Sequence, residues 1–282
     1  MFRVRQHYRY TYTGPVWDLQ QRLIMIPRDV HRDQRLLQYD LSVRGTEGDH
    51  RLTWERDEFG NRVARVVANR VPLAVDFEAI FRLERRAADP TPETLPWRTD
   101  DQRVGFLRPT ALTAPDTRVL DAAVVIARET ADPAQRAELA HGWTARAITY
   151  QFGVTGYSTP GAMALHLGRG VCQDYAHILL ALLRALDIPA RYVSGHLIGE
   201  GAPHAWVEAF IERPDGRADV VGFDPTHARH THIGYLTVAV GRDFADVSPT
   251  SGRYSGPALG RLAATKEAEV VEVDTNAGEA VA

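Results

Sequence analysis

Cysteine occurs once in the 282 residues, at Cys172. A single thiol excludes an internal disulfide framework and a four-cysteine zinc site, and leaves only a bridge between two copies. Lysine is as scarce: Lys266 is the only one, so arginine supplies the rest of the 33 basic residues. Biased codon usage accounts for this more simply than the avoidance of lysine by an enzyme that acylates it. Long apolar runs are also missing, and no stretch approaches the ~20 residues of a membrane span. Neither sign of charge dominates, with 36 acidic against 33 basic residues and a net charge of -3. Nothing there calls for nucleic acid or an acidic membrane as partner. No glycine-rich phosphate loop and no Asp-rich twelve-residue calcium loop is present, and no cofactor or metal is expected. The segment Met1-Phe-Arg-Val-Arg-Gln-His-Tyr8 carries arginines and lacks the apolar run of a signal peptide. With a free thiol, this makes the cytoplasm the expected compartment.

What is present suits a globular chain: 44% hydrophobic and 24% charged residues, at a length for one large domain or two ordinary ones. Residues 1–85 read as β. Phe77, Ala79, Phe81 and Leu83 alternate with polar neighbours, as do Leu37, Tyr39, Leu41 and Val43. Asp57-Glu-Phe-Gly-Asn61 supplies a turn, and short strands at this spacing suggest an antiparallel β-sandwich. His7, His31 and His50 stand singly and are expected at the surface. The proline-rich stretch within 86–100 reads as a linker.

Helical patterns follow in 101–262. Asp132-Pro133 offers an N-cap with proline at the first helical position, and Leu139, Trp143, Ala147 and Tyr150 share one face of the helix it opens. Ala176, Leu179, Leu180, Leu183 and Leu186 form the stripe of a helix that begins at Cys172 and stops at Asp187-Ile-Pro189. Strand-like runs start at Arg191, His204, Ala218 and Tyr235, with Pro214-Asp-Gly216 as a turn. Helices followed by an antiparallel sheet make an α+β core. Residues 263–282, acidic and alanine-rich, read as a disordered tail.

A thiol in the first turn of a helix faces unpaired N–H groups and the positive end of the helix dipole, and both favour the thiolate. His204 begins one strand-like run and Asp224 ends the next. If these runs pair as a hairpin, the two residues meet at one sheet edge, where the helix start carrying Cys172 can also point. Cysteine, histidine and aspartate are a nucleophile, its base and the group that orients the base. Asp174 lies where it can cap the helix, with Gln173 beside it, and Trp206 shares a face with His204. His227-Ala-Arg-His-Thr-His232 is read as an exposed polar loop rather than a metal site.

Gly168-Arg-Gly-Val-Cys-Gln-Asp-Tyr-Ala-His177, Ile188-Pro-Ala-Arg-Tyr-Val-Ser-Gly195, His204-Ala-Trp-Val-Glu208 and Gly222-Phe-Asp-Pro-Thr226 together resemble the bacterial transglutaminase-like family of proposed cysteine proteases. The likeness covers about residues 100–260, and the first 84 residues resemble the N-terminal domain that often precedes this core. It implies a papain-like catalytic domain over 101–262 with Cys172, His204 and Asp224 as its triad. Aspartate at position 187 departs from the expected helix-ending glycine. The oxyanion would be held by the Cys172 N–H and a second donor, Tyr157 or Gln151, with Tyr157 favoured by the resemblance. The expected activity is hydrolysis of amide or peptide bonds in a peptide or protein substrate. Crosslinking of protein glutamine to amines, and an inert scaffold of the same fold, are the alternatives. A homo-oligomer is compatible with the sequence.

Overall fold

The computed structural model describes residues 1–86, 93–97 and 100–272. Seven strands come first: β1 (Phe2–Tyr12), β2 (Val16–Leu23), β3 (Val30–His31), β4 (Gln34–Arg44), β5 (Glu47–Arg56), β6 (Arg62–Val71) and β7 (Ala74–Arg85). Then follow β8 (Glu93–Pro96), α1 (Asp100–Leu107), α2 (Thr117–Glu129), α3 (Pro133–Ala147), β9 (Thr149–Tyr150), α4 (Gly161–Leu167), β10 (Arg169–Gly170) and α5 (Cys172–Ala185). The chain continues with β11 (Ala190–Leu197), β12 (Pro203–Glu212), β13 (Arg217–Asp224), β14 (Arg229–His230), β15 (Tyr235–Gly241), α6 (Phe244–Val247), β16 (Thr250–Ser255) and β17 (Gly260–Val270).

The period-two pattern of β7 does what it implies: Val75, Phe77, Ala79, Phe81 and Leu83 are buried, and β7 lies between β1 and β4. Two antiparallel sheets, β17-β1-β7-β4-β3 and β16-β2-β6-β5, enclose a core that includes Val4, Leu19, Val66, Phe77 and Phe81. This is the expected sandwich. In β4 the expected alternation breaks, because a bulge falls between Leu36 and Gln38. Leu37 is exposed, while Leu36, Leu41 and Val43 pack on the core.

Three expectations are corrected. The tail from residue 263 is a strand through Val270: β17 pairs antiparallel with β1 from Phe2↔Val270 to Tyr12↔Gly260. Its backbone completes the ladder of β1, although most of its side chains face solvent. Residues 273–282 of the expected tail lie outside the described residues. The linker contains β8, which pairs with β13 (Ala218↔Leu95), while its residues 87–92 and 98–99 lie outside the described residues. The third correction concerns α3. Asp132 caps it through Ala134 N at 3.1 Å with Pro133 in the first turn, as expected. Its buried residues, however, are Ala137, Ala140, His141 and Thr144 rather than Leu139, Trp143, Ala147 and Tyr150. Small side chains let α3 approach α5 closely, while Trp143 and Ala147 pack half-buried against the same core and Leu139 and Tyr150 are exposed.

The second sheet runs β14-β13-β12-β11-β15, with β8 on the same edge of β13 as β14. α5 packs against β12 and β11 and is buried from Asp174 to Arg184, as befits a helix with neighbours all round. The Arg184 guanidinium inside this core bonds Phe106 O, Thr113 Oγ1, Ala190 O and Arg242 O. Asp187 takes the left-handed conformation (φ +59°) at the end of the helix, the position for which glycine was expected.

The sandwich covers the other face of this sheet. Asn61 bonds both the N–H and the carbonyl of Val240, Gln34 does the same to Thr237, and Leu236 and Val238 join the sandwich core. His31 is not at the surface as expected. It is buried, with Nε2 3.0 Å from Glu208 Oε1, and Arg191 Nε donates to Glu208 Oε2 at 2.7 Å. A carboxylate on the sandwich side of β12 needs such partners once water is excluded.

Candidate active site

Cys172 opens α5 behind Val171, which has extended backbone (φ -115°). Asp174, fully buried, turns back so that its Oδ2 accepts from Val171 N at 2.7 Å and Thr155 Oγ1 at 2.6 Å. Sequence reasoning anticipated this capping role. Burial raises the Asp174 pKa, and the hydrogen bonds from Thr155 and Val171 offset this only in part. Gly170 is required here, since a Cβ would lie 2.6 Å from Asp174 Oδ2. β10 pairs in parallel with β9, placing Gly170 opposite Tyr150, and Gln151 N donates to Gly170 O. Gln173 Nε2 donates to the carbonyls of Gly156 and Tyr157. Tyr157 is thus tied to the helix start through its backbone, while the residue is 76% exposed.

The structure brings Cys172, His204 and Asp224 together. β12 and β13 form the predicted antiparallel hairpin (Val207↔Phe223), with Gly216 at positive φ in its turn. His204 Nε2 lies 2.8 Å from Asp224 Oδ2, and both residues are buried. Cys172 lies near enough to His204 for its charge to act on the imidazole. Burial alone would lower the His204 pKa, but its bond to Asp224, the nearby Cys172 and the charges of both raise it to about 9. For Asp224 burial again opposes the charged form and is outweighed, chiefly by His204 and then by Tyr235 and His227, so its carboxyl stays below the usual range. The Trp206 ring stacks beside that of His204, 6.2 Å between centroids, as the shared face predicted.

Asp224 Oδ2 takes two further partners that sequence reasoning missed. Tyr235 donates its hydroxyl at 2.6 Å, and Arg229 Nε donates to that hydroxyl at 2.9 Å. His227 Nδ1 lies 2.7 Å away. The loop of 227–232 is exposed at His227 as expected, and Asp224 anchors it there because Oδ1 accepts from the N–H groups of Thr226 and His227. An aspartate followed by proline and then N–H donors was the available signal. His141 Nε2 lies 3.1 Å from the Asp224 carbonyl. Glu200 completes the surroundings, with Oε1 2.9 Å from His227 Nε2 and Oε2 3.7 Å from His204 Nδ1.

Ligand atoms of His204, Asp224 and His227 lie within 4.8 Å of one another. Both imidazoles approach the same carboxylate oxygen, so a cation there would displace their hydrogen bonds. Among the described residues no helix is long and apolar enough to cross a membrane.

Residues 121–220 match the family model described as Transglutaminase-like superfamily, and residues 2–84 match that of the Bacterial transglutaminase-like N-terminal region. Cys172 and His204 lie within the first match, and Asp224 just beyond it. An uncharacterized protein of Mycobacterium leprae is 39% identical over 160 residues, 53% of this chain and 55% of the relative. One from Mycobacterium tuberculosis is 39% identical over 116 residues, 37% of each. The chain thus spans between about a third and a little more than half of the length of the curated relatives it matches. A proposed cysteine protease from Cytophaga hutchinsonii superposes with a TM-score of 0.77 at 22% identity, covering 97% of this chain and 91% of that one. The two share a fold.

Proposed function

Because the chain belongs to the transglutaminase-like superfamily, with a bacterial transglutaminase-like N-terminal region before the core, we propose that it is a thiol-dependent hydrolase of amide or peptide bonds. One observation carries this reading: His204 is hydrogen-bonded to the buried Asp224, has Cys172 as a neighbour, and holds its proton to about 9. An imidazolium beside a sulfur favours the thiolate. The Cys172 thiolate attacks the substrate carbonyl, His204 gives its proton to the leaving amine, and a thioester remains on Cys172. Water then attacks the thioester while His204 takes a proton, and the acid is released. Asp224 keeps the imidazole oriented and stabilises its charge. The N–H of Cys172, without an intrahelical acceptor at a helix start, faces the developing oxyanion, with Tyr157 proposed as second donor. The exposed rings of Tyr150, Phe152 and Tyr157 beside the helix start suit an apolar side chain of a peptide or protein substrate.

The Cytophaga protein's description as a proposed cysteine protease is of one kind with this reading, and the free thiol supports a cytoplasmic setting. The test is the rate of Cys172 alkylation by iodoacetamide across pH. The expected outcome is alkylation at least about tenfold slower in His204→Ala than in the wild type. Equal alkylation rates in the two proteins overturn the proposal. Supplying an amine donor then separates the outcomes of the thioester, because incorporation in excess of hydrolysis would make the protein a transamidase.

A further inference from the structure

The two sheets of the sandwich end in four edge strands, β17 and β3 in one and β16 and β5 in the other. Three of these edges are blunted. β3 is two residues long, the pairing of β5 slips between Glu47 and His50, and that of β16 slips between Arg253 and Ser255. Short strands and bulges keep an edge from adding a further strand. β17 has neither device. Its eleven residues contain no proline and pair with β1 without a break from Phe2↔Val270 to Tyr12↔Gly260. Among the described residues no strand lies against its other edge. Lys266, the charge that could guard that edge, is committed to its own chain through Ala202 O at 2.7 Å. The side chains are uncovered in the same place. Leu262 and Val270 stand on the core side, opposite Tyr10 and Phe2 of β1, yet are 44% and 48% exposed. The Arg261 side chain has no ion pair among the described residues.

We propose that β17 is the interface of a homodimer, in which two copies pair edge to edge, antiparallel, about a two-fold axis at Thr265 and continue one sheet into the other. A two-fold axis perpendicular to the sheet lays the strand against itself, so the residue on the axis fixes the register. Thr265 is the midpoint of Gly260–Val270, and an axis there lets the whole strand pair. The same register sets Arg261 opposite Glu269 of the second copy, twice by symmetry, where Glu269 already meets Arg3 of its own chain at 3.2 Å. Glu267 faces Ala263, Lys266 faces Ala264, Leu262 faces Ala268 and Val270 faces Gly260. No like charges oppose each other, and apolar or small groups cover the open edge of both cores. An axis moved to Lys266 or Glu267 would instead set two like charges directly opposite, which destabilises a sheet.

The experiment removes the native thiol and puts one back on the axis. In the full chain carrying Cys172→Ser, Thr265→Cys sets two cysteines opposite each other, with Cα atoms about 4.5–5.5 Å apart, a gap that a disulfide spans. Ala263→Cys in the same background sets each cysteine opposite Glu267 and about 13 Å from the other, beyond reach. Sedimentation velocity of the wild type up to about 100 μM should show a dimer. Oxidation with diamide should crosslink Thr265→Cys at least about tenfold faster than Ala263→Cys. A wild type that stays monomeric over this range overturns the proposal. So does a dimer in which the two cysteines crosslink equally or not at all, since its interface would then lie elsewhere. If Thr265→Cys fails to fold, the charge pair decides. Arg261→Glu should weaken the dimer and Glu269→Arg added to it should restore association, whereas a dimer indifferent to both overturns the proposal. The hydrolase reading stands in every case.

Discussion

The imidazole at the centre of the site ties the stability of the whole protein to pH with a definite sign. His204 titrates near its ordinary value of 6.5 in an unfolded chain and at about 9 in the folded one. A raised folded pKa means that the native state binds the proton more tightly. This contribution is fully present below pH 6.5 and is lost as pH rises through 9. One pKa unit corresponds to about 1.4 kcal/mol, so the rise from 6.5 to about 9 is worth about 3 kcal/mol. Lys266 runs the other way. Its pKa is lowered from 10.5 to about 8, so its contribution is present above 10.5 and lost as pH falls through 8. A single pH curve therefore blends the two, and the assay must compare variants. Urea unfolding of the wild type and of His204→Gln at pH 6 and pH 10 isolates the imidazole, because Lys266 is common to both. The stability gap between them is expected to be about 3 kcal/mol wider at pH 6 than at pH 10. A ring-proton NMR titration of His204 should show the same high midpoint. A gap that stays constant across this range refutes the reasoning, and with it the claim that Asp224 and Cys172 outweigh burial at His204.

Three further outcomes are expected. Tyr235→Phe removes the donor 2.6 Å from Asp224 Oδ2 and the acceptor of Arg229 Nε, and should cost about 1.5–3 kcal/mol in urea unfolding at neutral pH. An unchanged midpoint would mean that Asp224 needs only its other donors. Glu208→Gln strips the countercharge from buried Arg191 at the junction of sandwich and core, and should lower stability by about 3–5 kcal/mol. Full retention of the thermal midpoint would contradict it. Gly170→Ala drives a methyl into Asp174 Oδ2 at 2.6 Å. It should destabilise by about 1–3 kcal/mol and slow alkylation of Cys172, whereas wild-type values for both would show that the helix start adjusts freely.

The parts of the molecule that were legible share a property: their signal is local. The stripe of α5 and the cap at Asp132 need only neighbouring residues, and the hairpin that joins His204 to Asp224 needs only two apolar runs and the turn at Gly216. What was missed depends on partners distant in sequence or on backbone alone. β17 is held by its ladder to β1, and with its side chains largely in solvent on an edge it has no apolar alternation to read. His31 looks like any isolated histidine until folding brings Glu208 against it. His227 is polar and partly exposed, and its attachment to Asp224 comes from the turn geometry after Pro225. On α3 the stripe found Trp143 and Ala147, which pack on the core, and missed Ala137, Ala140 and Thr144, whose small side chains give little apolar signal. Tyr235 was legible as the start of a strand, but its hydroxyl bond to Asp224 crosses from β15 to β13.

The pairing of β1 with β17 has a consequence for how the protein is made. β1 is synthesised before the α+β core, yet its partner along one edge, from Tyr12↔Gly260 to Phe2↔Val270, comes after that entire core. At ~5–20 residues per second, that edge waits on the order of ten seconds or more. Until then it is an unpaired strand open to other chains. The contacts it awaits are among the longest in sequence that the fold contains, and such contacts form late because loop closure precedes their reward. β17 also carries Lys266, whose Nζ donates to Ala202 O in the loop before His204, so the arrival of this strand both completes the ladder of β1 and adds a tie to that loop. Pulse-labelled hydrogen exchange during refolding should show the β1 amides that face β17 becoming protected after those that face β7. A nascent chain halted before β17 would then hold the loop before His204 without its tie to Lys266, so that ordering of this loop would be timed by completion of a sheet in the other half of the molecule.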